Sequence, residues 1–267
     1  GCLFIQGNTY DTDVIAQLEK YSFDAVFHIA GQSSGEVSFE NPEYDLKTNT
    51  LATLLLLDYC KKHGVKKFVY ASSMATYGDH PEELVSETSE QIPKSFYAVG
   101  KLASENYMRI YSGFGIQCTA LRFFNVFGIG QNLDNLKQGM ASIYLAMAVN
   151  DRHIFVKGSK DRFRDFVYVD DVVQACINAV DVPRDEMFDV FNISNKRKIT
   201  VEYINEMICR RIEGTTVEYG QGTPGDQFGI YGENQKAKEK LKWEPQIDFE
   251  TGMNRFIDFA LSGASRH

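Results

Sequence analysis

The chain is short of the residues that announce several protein classes. In 267 residues it has one tryptophan, six prolines and five cysteines. Cys2, Cys60, Cys118, Cys176 and Cys209 show no CxxC or Cys/His spacing, so the pattern offers neither a disulfide framework nor a zinc site and fits a reducing cytoplasm. No apolar run reaches the about 20 residues a membrane-spanning helix needs; the stretch 51–57 is far too short. No basic segment followed by an apolar one opens the chain, so no signal peptide is visible. Basic excess is also lacking. Against 36 acidic residues stand 28 Lys and Arg, a net charge of -8, which disfavours a nucleic-acid partner but leaves room for a local phosphate pocket.

What is present suits a large soluble α/β domain: 43% of residues are hydrophobic and 13% aromatic, enough for a substantial core. Apolar runs alternate with helical patterns, the rhythm of βαβ units and a parallel sheet. Strands are expected at 2–7 (CLFIQG), 24–31 (DAVFHIAG), 66–73 (KKFVYASS) and 116–128 (IQCTALRFFNVFG). Helices are expected at 12–21, at 49–64 ending on Gly64, and at 95–115 ending on Gly115. Beyond Gly128 the pieces shorten. A helix is expected at 138–150, a strand and a helix capped by Asp170 or Asp171 at 164–180, a strand at 188–194, then a helix capped by Thr200. The reading is a doubly wound parallel sheet, Rossmann-like, with a smaller C-terminal subdomain. Residues 1–130 would bind a dinucleotide and 131–267 mainly the substrate, with segments near 164–195 returning to the sheet.

A dinucleotide-binding sheet should open with a strand, a glycine-rich turn such as GxxGxxG, and a helix whose N-terminus holds the pyrophosphate. The chain has no such turn. It is therefore expected to be a fragment that begins at a later strand of that sheet.

Two stretches could carry chemistry. In SFYAVGK (95–101), Tyr97 and Lys101 are four apart and share a helix face. A free phenol, with a pKa of about 10, is a poor base near neutrality; a nearby ammonium would lower that value. The same spacing also fits a plain surface pair. In YASSMATYG (70–78), a strand ends in Ser72 and Ser73, which places hydroxyls at the C-terminal edge of the sheet, where open α/β sheets bind ligands. Two serines can also merely begin a turn.

Together with HIAG (28–31), KTNTLAT (47–53), LRFFNVFG (121–128), RDFVYVDDV (164–172) and PGD (224–226), these stretches resemble, in order and spacing, the extended short-chain dehydrogenase/reductase family, in particular its NAD-dependent nucleotide-sugar epimerases and dehydratases. The resemblance implies that Tyr97 is the acid/base, that Lys101 binds the nicotinamide ribose and depresses the Tyr97 pKa, and that Ser73 orients a sugar hydroxyl. It implies NAD contacts from Asn8, Thr9, Ile29, Ala30, Gly31, Thr48, Asn49, Ser72, Tyr97, Lys101 and Phe124. Ser73, Tyr97, Asn125 and Arg164 would meet the substrate, a nucleotide-diphosphate sugar with uridine as the suggested base. Asn8 stands where these proteins usually place an acidic residue. His28 reads as a core histidine. Arg164 can grip phosphate oxygens or pair with Asp165, and Lys157, Lys160 and Arg162 form either a basic rim or a solvated loop. The family also implies a homodimer through the helices at 49–64 and 95–113.

There are departures. Thr223 and Pro224 stand where relatives often carry an arginine ahead of GD. Met74 and Ala75 follow Ser73 where dehydratases place acidic residues, and neither can transfer a proton. The combination points to C4 epimerisation through a transient 4-keto sugar, with no metal. The alternatives are an NAD(P)H-dependent keto-sugar reductase, a 4,6-dehydratase, or an inactive cofactor-binding protein.

Overall fold

The computed structural model describes residues 2–137, 139–222 and 228–263. Two compact units emerge. The first draws on 1–76, 91–122 and 176–191, the second on 77–90, 123–175 and 192–267.

In the first unit, the strands β1 (Ala25–His28), β2 (Lys67–Ser73), β3 (Gln117–Phe123) and β4 (Phe188–Ile193) form a sheet in that order. β1 and β2 run parallel, from Ala25 opposite Lys67 to His28 opposite Tyr70. Residues 68–72 of β2 are all buried, as expected of a strand covered on both faces. The connecting helices are α1 (Thr12–Ala16), α2 (Gly35–Glu40), α3 (Pro42–Asp45), α4 (Ala52–His63) and α5 (Phe96–Ser112). Leu56, Leu57, Phe68, Met108, Ile116 and Cys118 make the core. α4 ends at Gly64, whose φ of 74° is in the left-handed region that favours glycine. Immediately before α4, Leu46–Leu51 is a π-helix, a form that recurs at functional sites.

Two expectations need correction. Residues 2–7 form no strand. A strand requires a neighbour's hydrogen-bond ladder, and no described strand pairs with this segment, which leaves Leu3 and Phe4 65% and 84% exposed. α5 stops at Ser112 with Gly113 as its C-cap, two residues before the expected Gly115.

In the second unit, helices Met140–Asp151, Val201–Arg211 and Phe249–Leu261 enclose a core that includes Phe127, Leu145, Ile204, Ile208, Met253 and Phe256. Strand His153–Lys157 pairs in parallel with Thr216–Gly220, and Asn125–Phe127 with Phe166–Tyr168. Thr200 caps its helix through the Tyr203 N–H, at 3.1 Å, as expected. Asp171 does not cap the helix Val169–Asp181. It lies inside the first turn, and its carboxylate accepts the Gln246 and Ile247 N–H groups, each at 3.0 Å. Two backbone donors from a loop outweigh a capping role here.

Among the described residues no helix is long and apolar enough to cross a membrane, and no group of three His, Cys, Asp or Glu could hold a metal ion. All five cysteines are free.

Candidate active site

The Ser95 hydroxyl accepts the Ala98 N–H at 3.2 Å and so starts α5. Tyr97 and Lys101 follow one turn apart. Lys101 is 4% exposed; its ammonium donates to the Ala71 carbonyl at 2.8 Å and lies 4.7 Å from the Tyr70 ring centre and 5.5 Å from that of Tyr97. The strand-end Ser73 hydroxyl lies close enough to the Tyr97 phenol to lower its pKa and accepts the Ala75 N–H at 3.2 Å. Sequence reasoning placed these three together, and the structure brings them together.

The electrostatics differ from expectation. Burial pushes the Tyr97 phenol up to about 12; the Ser73 hydroxyl works against that rise, and the Asp45 charge adds to it. Burial outweighs the depression expected from Lys101, whose ammonium donates to the Ala71 carbonyl. Burial also pushes Lys101 down to about 8, opposed by Asp45 and Glu105.

Beside this pair the π-helix presents Asn49, wholly buried, whose amide donates to the Gln32 carbonyl at 2.9 Å and to Asp45 Oδ1 at 3.0 Å. Asn49 Oδ1 has no partner. Gly31 is required opposite it, since a Cβ there would sit 2.5 Å from that oxygen. Gly100 has the same role on α5, where a Cβ would meet Thr50 Oγ1 at 3.0 Å. Thr48 is buried, its hydroxyl donating to the Tyr44 carbonyl at 3.0 Å. Ile29, Ala30 and Gly31 are exposed at the end of β1. Asn8 and Thr9 lie in the turn before α1, with the Asn8 amide 3.1 Å from Asp11 Oδ2.

His28 is a core residue, as expected. Its Nε2 meets Thr53 Oγ1 at 3.1 Å, and burial, reinforced by the Lys101 charge, pushes its pKa down to about 3, so the ring is neutral. Ser72, the other strand-end serine, is buried. Its hydroxyl donates to Glu105 Oε1 at 2.6 Å, so only its backbone is left to meet a cofactor. Glu105 in turn receives Arg122 through Nε at 2.9 Å and Nη2 at 2.7 Å.

In the second unit Phe124 is 3% exposed and packs on Gly232, where a Cβ would come within 2.3 Å of its ring. The Asn125 N–H donates to the Asp165 carbonyl at 2.9 Å, while Asn125 Oδ1 is buried and unpartnered. Arg164 donates to the Phe163 and Phe228 carbonyls at 2.7 and 3.3 Å. Asp165 accepts the Asn195 and Gly232 N–H groups at 2.8 and 3.2 Å; burial pushes its pKa up to about 7 against those bonds. The basic rim is partly consumed internally, Lys160 by Glu202 at 2.7 Å and Arg162 by the Ser159 and Lys157 carbonyls. The segment PGD with Thr223 and Pro224 lies outside the described residues.

A family model described as GDP-mannose 4,6 dehydratase matches residues 2–256. The chain belongs to that family. It is thus an extended short-chain dehydrogenase/reductase of the nucleotide-sugar epimerase/dehydratase group, with the Rossmann-like parallel sheet that group uses. It is 29% identical over 249 residues to the UDP-glucuronate 4-epimerase of Thermodesulfobacterium geofontis, a match covering 91% of this chain and 74% of that protein. Among solved structures it is similar to the UDP-glucose 4-epimerase of Thermotoga maritima, determined with UDP-glucose, at a TM-score of 0.92 and 29% identity, covering 98% of this chain and 85% of that one. The UDP-glucose 4-epimerase of Thermus thermophilus, in complex with NAD, gives a TM-score of 0.86 and 27% identity, covering 96% and 83%.

Three features of this family member escaped the sequence reading: Asp45, the Gln32 loop that it holds, and the Glu105–Arg122 pair. The four-residue spacings of Asp45 to Asn49 and Lys101 to Glu105 were visible, but a spacing does not reveal burial.

Proposed function

We propose that the chain is an NAD-dependent epimerase acting at C4 of a UDP-sugar, with Tyr97 as the proton-transferring residue. The observation that carries this is the Ser73–Tyr97–Lys101 constellation at the end of β2, in a member of a family whose similar proteins include UDP-sugar 4-epimerases.

The first unit suits NAD. It offers a buried, unpartnered Asn49 Oδ1 and, opposite it, a Gly31 whose missing side chain permits close backbone approach. Ile29, Ala30, Gly31, Thr48, Asn49 and Lys101 would hold it, with Asn8, Thr9 and the Ser72 backbone further out. When bound, NAD supplies reversible two-electron oxidation of the sugar carbon. The chain's own part is proton handling and positioning. Tyr97 takes the 4-hydroxyl proton through its phenol oxygen and returns it. Ser73, whose hydroxyl lies beside the Tyr97 phenol, fixes that hydroxyl by a hydrogen bond. Lys101 supplies positive charge beside both rings. A phenol at about 12 stays protonated near neutrality, and a cationic ring placed beside it would lower that value toward the phenolate that can take the proton. Phe124, Asn125 and Arg164, in the second unit, are assigned to the cofactor ring and the substrate diphosphate. The unpartnered Asn125 Oδ1 supports its share of that role.

Epimerisation is favoured over the dehydration named by the family model because Met74 and Ala75, which open the 3-10 turn after Ser73, carry no proton-transferring group. The protein acts in the cytoplasm as a homodimer through α4 and α5, where Val99 and Ile110 of α5 are 51% and 63% exposed.

The test is incubation with UDP-glucose, UDP-N-acetylglucosamine and UDP-glucuronate, with NAD present, followed by separation of products. Interconversion of 4-epimers without net NADH is expected. A 4-keto-6-deoxy product, or stoichiometric use of reduced cofactor, would overturn the reading in favour of a dehydratase or a reductase.

A further inference from the structure

Two opposite charges are buried close to Tyr97, and neither has a charged hydrogen-bond partner among the described residues. Asp45, at the end of α3, is 1% exposed. Its Oδ1 accepts from two neutral amides, Gln32 Nε2 at 2.7 Å and Asn49 Nδ2 at 3.0 Å. Both partners are N–H donors, which favours the carboxylate, although burial outweighs them and raises the Asp45 pKa above its ordinary value. Its Oδ2 lies against α5: a Cβ on Gly100 would be 3.6 Å from it, and Lys101 is the next residue. Lys101, 4% exposed, has the Ala71 carbonyl at 2.8 Å and the faces of two tyrosines.

A buried charge without compensation is costly, and of the other titratable groups nearby only Glu105 adds to the effect of Asp45 on Lys101. Glu105, one turn along α5, is matched by the two-pronged contact of Arg122 on β3. His28 on β1 and Tyr70 on β2 are neutral, pushed away from their charged forms by burial. Glu36, Glu40, Glu43 and Lys47 on the neighbouring helical segments are exposed, and the last two pair with each other at 2.6 Å.

We propose that Asp45 is a positioning residue for the reacting pair, its buried negative charge holding Lys101 as an ammonium while its Oδ1 pins the Gln32 loop and Asn49 in place. This rests on the reading of Tyr97 and Lys101 given above. Burial and Asp45 act on Lys101 in opposite senses, the first lowering its pKa and the second raising it. The same carboxylate favours the protonated phenol of Tyr97. Removing it therefore lowers both proton affinities, and the two limbs of a pH–activity profile move together toward lower pH. A merely structural residue would lower the profile without displacing it.

The direct test follows Lys101 itself by NMR of lysine-selectively labelled protein, its resonance assigned by its loss in Lys101→Met. Asp45→Asn preserves shape, and its amide oxygen can still accept from Gln32 and Asn49. The Lys101 titration, about pH 8 in the parent, is expected to move down by on the order of one pH unit. Asp45→Ser, smaller but equally neutral, moves it the same way and serves if the first variant does not fold. Gln32→Ala removes one hydrogen bond but keeps the charge, and leaves the titration in place. An unmoved titration in the folded neutral variants, or an equal shift in Gln32→Ala, overturns the proposal. The titration requires neither NAD nor a sugar, so failure of the epimerase assay and failure of this proposal are separate results.

Discussion

Tyr97→Phe is expected to lower kcat by about 10²–10⁴-fold while leaving substrate affinity nearly unchanged. The substitution removes one oxygen and keeps the ring under the Lys101 ammonium, 5.5 Å from its centre. It also removes the phenol oxygen beside Ser73, but Ser73 Oγ keeps its contact with the Ala75 N–H at 3.2 Å. The surrounding structure therefore has little reason to rearrange, and the loss should fall on the proton-transfer step alone. Steady-state kinetics with the UDP-sugar turned over by the parent separates the two parameters. A loss below about tenfold, or one expressed mainly in KM, would reduce Tyr97 to a packing residue.

The second large effect concerns stability. Glu105 and Arg122 are each 3% exposed, joined by contacts of 2.9 and 2.7 Å, and Ser72 donates to the same carboxylate at 2.6 Å. Removing one member leaves an uncompensated buried charge, which typically costs 3–5 kcal/mol, about the scale expected of Glu105→Leu or Arg122→Met alone. The double variant Glu105→Leu/Arg122→Met replaces both charges with apolar volume and should recover most of that loss. Denaturant unfolding measures all three. Equal destabilisation of the single and double variants would mean that shape, rather than charge pairing, governs this region. The pair ties α5 to β3 beneath the strand-end serine, so the singles should also lose activity through disorder of that corner.

The parts of this molecule that were legible in its sequence are those governed by local rules. Ser95 followed by an apolar helix pattern placed α5, and with it the shared face of Tyr97 and Lys101. The apolar stretch ending in two serines placed β2. Glycine marked the end of α4. What could not be read depends on tertiary neighbours. Residues 2–7 have strand composition, but pairing belongs to a partner strand, and no described strand pairs with them. The sign of the Tyr97 perturbation was misjudged because spacing shows that an amine is one turn away, not that the phenol is buried. Ser72 and Ser73 look alike in sequence, yet one hydroxyl serves Glu105 and the other lies beside Tyr97 and accepts the Ala75 N–H. Nothing in the sequence distinguishes Asp45 among the 36 acidic residues. Only the fold reveals that it is buried against α5.

The most direct measurement is an ultraviolet difference titration of the parent against Tyr97→Phe, with and without NAD, which isolates the ionisation of this one phenol. Alone, it should ionise near pH 12; with NAD it should ionise at least about one pH unit lower, because a cationic ring beside it stabilises the phenolate. A Tyr97 titration that NAD does not move would contradict the account.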